Sequence, residues 1–120
     1  MKNIGVIAHN NKKPELAKFI KEHRTWILGT NIIATGRTAE YLEENKLEVE
    51  HLSRGRYGGY NQMNKMIEEK KIDLVVFFVD PEVKEPHHKD IENLLDKTNI
   101  LNVPLATNYA SAELLIIGLI

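Results

Sequence analysis

The tetrad Thr35-Gly36-Arg37-Thr38 sets two hydroxyls, a glycine and a guanidinium at the opening of a helical pattern, a combination suited to holding an anion. Gly36 permits a tight turn, a helix N-terminus offers unpaired N–H groups with a favourable dipole, and Arg37 adds a two-pronged donor. Lys13 ends the polar run His9-Asn10-Asn11-Lys12-Lys13 and could join them. Each charge-assisted hydrogen bond is worth roughly 1.5–3 kcal/mol, so Arg37 and Lys13 would supply much of a millimolar-to-micromolar phosphate affinity. The same residues also read as a capped helix with exposed arginine and lysine, because a T-G-x-T turn is far less specific than a full P-loop.

The stretch Ser53-Arg54-Gly55-Arg56-Tyr57-Gly58-Gly59-Tyr60-Asn61-Gln62 is the most unusual in composition, with three glycines, two arginines and two tyrosines. Glycine lets backbone approach a ligand, arginine neutralises phosphate, and tyrosine stacks on a ring or donates a hydrogen bond. A bland surface loop is the competing reading. Further on, Asp80-Pro81 and Pro86-His87-His88-Lys89-Asp90 bring carboxylates and imidazoles into neighbouring segments, equipment for acid/base chemistry. His-His-x-Asp lacks an established metal-ligand spacing and the chain has no cysteine, so neither metal nor cofactor is expected. His88 reads as a helix-start surface residue, and His23 and His51 as structural or surface residues. No G-x-S-x-G elbow presents a nucleophilic serine.

These loops must be positioned by the segments that precede them. Apolar, β-branched runs at Ile4–Ala8, Asn31–Ala34, Leu47–Leu52, Ile72–Val79 and Val103–Thr107 are predicted strands. Leu74 to Val79 shows no polar alternation, as a parallel strand covered on both faces requires. Between them Leu16, Phe19 and Ile20, then Met63, Met66 and Ile67, then Ile91, Leu94 and Leu95 recur at helical spacing and form core stripes. Pro14 suits a first helical turn, and Thr38 and Ser111 are plausible helix starters. The rhythm predicts one doubly wound α/β domain over residues 1–120, with a five-stranded, mostly parallel sheet flanked by helices. In such sheets ligands bind beyond the carboxyl ends of the strands, where these loops lie.

Composition narrows the partners. With 120 residues, 42% hydrophobic and 28% charged, one globular core is expected. Sixteen basic against seventeen acidic residues leave a net charge of -1, so no global field attracts a nucleic acid polymer or a membrane surface. The absence of cysteine fits an intracellular chain, and cytoplasmic is the expected location. The apolar end Leu114-Leu115-Ile116-Ile117-Gly118-Leu119-Ile120 is too short to span a bilayer and reads as a buried helix or a subunit contact.

Taken together, the fragments resemble one family. From Ile4 to about Leu115 the chain is similar to methylglyoxal synthase through Ile7-Ala8-His9, Ala34-Thr35-Gly36-x-Thr38, Ser53, Gly58-Gly59-x-x-Gln62, Phe77-Phe78-x-Asp80-Pro81, Pro86-His87-x-x-Asp90 and Val103-Pro104-Leu105-Ala106-Thr107-Asn108. The resemblance implies a cytoplasmic homohexameric lyase that converts dihydroxyacetone phosphate to methylglyoxal and phosphate without a metal. It implies phosphate contacts at Lys13, Thr35, Thr38 and Ser53, substrate-oxygen contacts at His9 and His87, and active-site carboxylates at Asp80 and Asp90.

The departures concern charge. Tyr60 occupies the position where the family keeps its proton-abstracting aspartate, and only about one phenol in a thousand is ionised at pH 7. His9 is followed by Asn10 rather than aspartate, Arg37 replaces a small residue, and the loop before Tyr60 is one residue longer. The family usually adds an arginine from a later C-terminal segment, for which Arg37, Arg54 or Arg56 could compensate. The expectation is therefore a protein that senses or sequesters a small phosphorylated ligand, nucleotide-like, held by Lys13, Thr35, Gly36, Arg37, Thr38, Ser53, Arg54, Arg56, Tyr57, Gly58, Gly59 and Tyr60. The alternative is an active methylglyoxal synthase-type lyase in which Asp80, Asp90 or His87 abstracts the proton, with His9 also in the site.

Overall fold

Backbone hydrogen bonding follows the apolar pattern closely at the centre of the sheet and loosely at its edges. The computed structural model describes residues 2–54, 57–84 and 86–119. Its strands are β1 (Asn3–Ala8), β2 (Asn31–Ala34), β3 (Glu50–His51), β4 (Leu74–Phe78) and β5 (Leu105–Ala106). The helices are α1 (Lys13–Glu22), α2 (Arg24–Ile27), α3 (Gly36–Glu44), α4 (Gly59–Glu68), α5 (Lys89–Ile100) and α6 (Tyr109–Leu119), with a 3-10 turn at Asn10–Lys12. The strand order is β3-β2-β1-β4-β5, and every neighbouring pair is parallel. The expected five-stranded doubly wound sheet is what the chain forms.

Both faces of the sheet are covered, which explains the unbroken apolar run of β4. Leu74, Val76 and Phe78 pack with Leu16, Phe19, Ala39, Leu42 and Ile116 on the side of α1, α3 and α6. Val75 and Phe77 point the other way, against Met63 and Ile67 of α4 and Ile91 and Leu94 of α5. The predicted helix stripes are therefore core stripes, split between two layers.

The edge strands are shorter than the apolar runs suggested. Only Glu50 and His51 pair with β2, while Leu47 and Leu52 of the predicted strand pack into opposite cores from the connecting segments. Pro104 has no N–H to give a ladder, so β5 begins after it, though the Pro104 carbonyl still accepts from Val75 N–H at 2.9 Å. Two helix starts also differ. Thr35, not Thr38, precedes α3, in extended conformation, and Ala39 N–H closes the first turn on its carbonyl. Asn108, not Ser111, starts α6, its side-chain oxygen accepting the Ser111 N–H at 2.9 Å.

Tight glycine contacts seat the loop after β3 onto α3. A Cβ on Gly36 would lie 2.6 Å from the backbone N and Cα of Arg54. Gly36 N–H donates to the Ser53 carbonyl at 2.9 Å. Gly58 adopts φ +107, a conformation glycine reaches without strain, to turn the chain into α4.

Among the described residues no helix is long and apolar enough to cross a membrane. The last helix α6 is apolar around most of its circumference. Ala112 and Ile116 are buried while Leu114 is 72% exposed.

Candidate active site

The chain leaves β1 toward β2 and β3 and returns to β4 on the opposite side, so the winding direction switches between β1 and β4. Loops diverge there and open a crevice at the carboxyl ends of both strands. A cleft of about 680 Å³ occupies this place, lined by His9 and Lys13 after β1, Thr35, Arg37 and Thr38 after β2, Arg54, Tyr57 and Tyr60 after β3, and His87 and His88 before α5.

Its cationic, hydroxyl-lined side is built on α1 and the start of α3. Lys13 is 8% exposed, its ammonium held by the Asn10 side chain. Burial, reinforced by Arg37, lowers the Lys13 pKa, with Glu40 opposing. Thr35 and Thr38 are buried, and among the described residues neither hydroxyl has a hydrogen-bond partner. Arg37 likewise has no carboxylate partner there. The Arg37 and Thr38 N–H groups lie in the first helical turn, where no intrahelical acceptor precedes them. A dianion would satisfy all these donors at once.

The opposite side is imidazole. The Asp80 backbone N–H donates to His9 Nδ1 at 2.8 Å. In a neutral ring that bond leaves the proton on Nε2, so His9 presents an N–H donor from its other edge. Burial, aided by His87 and Lys13 and opposed by Asp80, lowers the His9 pKa below its ordinary value of 6.5. The His9 ring lies 5.2 Å from Phe77 and 5.3 Å from His87, centroid to centroid.

A pH effect follows from this environment. As pH falls through about 6.5, unfolded His9 takes a proton that the native ring resists, so the unfolded state binds more protons and native stability drops. His9→Gln removes that component. The melting temperature of the variant minus that of the wild type is expected to rise between about pH 7.5 and pH 5.5, read by thermal denaturation.

Not every residue anticipated for the site lines the cleft. Asp80 is buried, and its carboxylate accepts from Glu82 N–H at 2.9 Å and from the Asn11 amide at 3.1 Å. Those two bonds lower its pKa, making it a weak base that positions the His9 loop. Asp90 sits in the first turn of α5, where its N–H donates to the helix-capping His88 Nδ1 at 3.1 Å. Ser53 borders the site without lining it, and Gln62 clasps it from both sides. Ser53 N–H donates to Gln62 Oε1 at 2.9 Å, and the Gln62 amide donates to Ser53 Oγ at 3.2 Å. Gly58 and Gly59 shape the loop from behind. Arg56 lies outside the described residues.

Arg54 does reach the rim, but its charge is committed to Glu40, with Nη2 to Oε1 at 3.0 Å. Tyr57 is 80% exposed at the mouth, and the Tyr60 ring lies 5.9 Å from that of His88. His23 is buried between the Phe19 carbonyl and Glu113, and His51 meets Glu43, both remote from the cleft lining. Among the described residues no cluster of three or more His, Cys, Asp or Glu is arranged to hold a metal. Asn11, Gln62 and Glu40 had no assigned role from sequence, because a side chain that ties loops together has no composition of its own to betray it.

Residues 15–107 match the family described as MGS-like domain. The chain is 41% identical over 115 residues to a methylglyoxal synthase of Carboxydothermus hydrogenoformans, covering 95% of each. It is 40% identical to one of Aliivibrio fischeri, covering 96% of this chain and 77% of that one. The solved methylglyoxal synthase of Elizabethkingia anophelis superposes with a TM-score of 0.87 at 34% identity, covering 96% of this chain and 76% of that one.

These matches overturn the expectation of a non-catalytic sensor or sequestering protein for a nucleotide-like ligand. Tyr60 changes one position, whereas relatives named for an enzyme extend over nearly the whole chain. One missing carboxylate does not amount to a lost reaction when the imidazoles of His9, His87 and His88 line the same cleft. With about two fifths of its residues shared and the same doubly wound sheet, the chain belongs to the MGS-like domain family.

Proposed function

We propose that this chain is a methylglyoxal synthase-type lyase, acting as one domain, that releases phosphate from dihydroxyacetone phosphate. The observation that carries the reading is the union of a cationic, hydroxyl-lined side, Lys13, Thr35, Arg37 and Thr38, with the facing imidazoles of His9 and His87 in one cleft, in a chain about 40% identical to enzymes of that name.

The substrate phosphate sits between Lys13, Arg37, the Thr35 and Thr38 hydroxyls and the first-turn N–H groups of α3. His9 donates its Nε2–H to the carbonyl oxygen, where negative charge grows as an enediolate forms. His87 accepts the proton from the hydroxymethyl carbon. It is chosen over Asp80 and Asp90 because, among the described residues lining the cleft, none is a carboxylate. The hydroxyl on the deprotonated carbon then loses its proton and becomes the aldehyde carbonyl, the enediolate double bond shifts to the neighbouring carbon as the carbon–oxygen bond to phosphate breaks, and phosphate leaves with that bonding pair and takes up the hydroxyl proton. Lys13 and Arg37 stabilise it. The released enolate takes a proton at its terminal carbon, returned by His87 or drawn from water, and becomes methylglyoxal.

The family resemblance and the exposed Leu114 and Ile117 face of α6 support self-association, proposed as a homohexamer in the cytoplasm. The decisive assay incubates pure protein with dihydroxyacetone phosphate in deuterated water. Methylglyoxal and phosphate in equal amounts, with exchange or loss of the substrate C–H proton, are expected. Neither product release nor exchange would sink the reading.

A further inference from the structure

The lyase reading leaves one pair at the cleft unused. We propose that Glu40 is an internal counter-ion that holds Arg54 at the rim and yields it to an arriving phosphate, so that this pair sets how tightly the site grips substrate and product phosphate. The inference rests on the cleft being the phosphate site proposed above.

Among the described residues Lys13, Arg37 and Arg54 bring cations to the cleft, and they are not equivalent. Lys13 is buried and held by Asn10, and Arg37 has no carboxylate partner among the described residues. Of these three, Arg54 is the one paired with a carboxylate, with Nη2 and Nε both directed at Oε1 of Glu40, at 3.0 and 3.4 Å. Two donors converging on one oxygen form a poorer arrangement than a two-armed fork, and both side chains are about half exposed. Such a pair is weak and exchanges readily.

The backbone makes the exchange local. Glu40 follows Arg37 by three positions on α3, so it rises from the same face as the anion-binding turn. Arg54 cannot drift away, because its N and Cα are packed against Gly36, where even a Cβ would lie 2.6 Å from them. Its guanidinium can therefore trade Glu40 for a phosphate without loop movement. Glu40 also acts on Lys13, opposing the effects of burial and Arg37. Once elimination is complete, Glu40 can retake Arg54 and ease phosphate departure.

Titration calorimetry with inorganic phosphate on the whole protein tests this in four forms: wild type, Glu40→Gln, Arg54→Gln and the double variant. Glu40→Gln is expected to bind phosphate about fivefold tighter, near the ceiling for an exposed ion pair. In the Arg54→Gln background the same change should matter less than about twofold. Equal gains in both backgrounds, or no gain at all, would overturn the inference while leaving the phosphate site standing. No phosphate binding by any of the four would remove the lyase reading and this inference together. Melting curves confirm that each variant is folded.

Discussion

His87→Ala is expected to lower kcat for methylglyoxal release about a thousandfold, within the range of a lost general base, while inorganic phosphate affinity changes less than about threefold. The division follows from placement. His87 lies on the imidazole side of the cleft beside His9, and the phosphate donors come from α1 and α3. Removing the ring deletes the proton acceptor and leaves Lys13, Arg37, Thr35 and Thr38 intact. His87→Gln, which keeps polarity and much of the volume but cannot take up a proton near neutral pH, should be as inactive as the alanine variant. Steady-state kinetics with calorimetry on the same samples separates the two effects. A variant retaining a tenth or more of kcat would move the base elsewhere in the cleft.

Gly59→Ala should destabilise the protein by about 3 kcal/mol or more, a fall of about 10 °C or more in melting temperature. A Cβ at Gly59 would lie 2.0 Å from the Ser53 carbonyl oxygen and 2.9 Å from its carbon. That carbonyl cannot simply retreat, since it accepts the Gly36 N–H, and the Gly59 N–H itself donates to the Arg54 carbonyl at 3.1 Å. Relief therefore requires the loop after β3 to lift off α3, taking Arg54 and Ser53 with it. Gly118→Ala is the control. Among the described residues, nothing beyond its chain neighbours and its own helix backbone lies within 4 Å of its would-be Cβ, so a change of under about 1 kcal/mol is expected in the opposite direction. Equal stability of Gly59→Ala and wild type would show that the loop is not seated as described.

The error about function and the errors about residues share a cause. Thr35, Gly36, Arg37 and Thr38 fall in one turn, so their grouping needed no knowledge of the rest of the chain. By sequence Asp80 is equally well placed, directly after the predicted strand Ile72–Val79. Its carboxylate is instead consumed by Asn11, 69 positions away, and by its own loop. Arg54, expected from sequence among the ligand-holding residues, has its guanidinium engaged by Glu40, 14 positions earlier.

By itself the sequence determined the layers: β1 and β4 as buried strands, the inward faces of α1, α4 and α5, and the grouping of Thr35, Gly36, Arg37 and Thr38 in one turn at the start of α3. These depend on periodicity and turn chemistry, which act over a few residues and are written contiguously. Only the tertiary structure decided which groups are available for chemistry. His9 becomes a fixed Nε2–H donor because the Asp80 N–H, 71 positions on, reaches its Nδ1, and this happens because β1 and β4 are neighbours in the sheet. Hydrogen bonds of that kind form between segments brought together by the topology, so their effect on a side chain's proton or charge has no local signature in the chain.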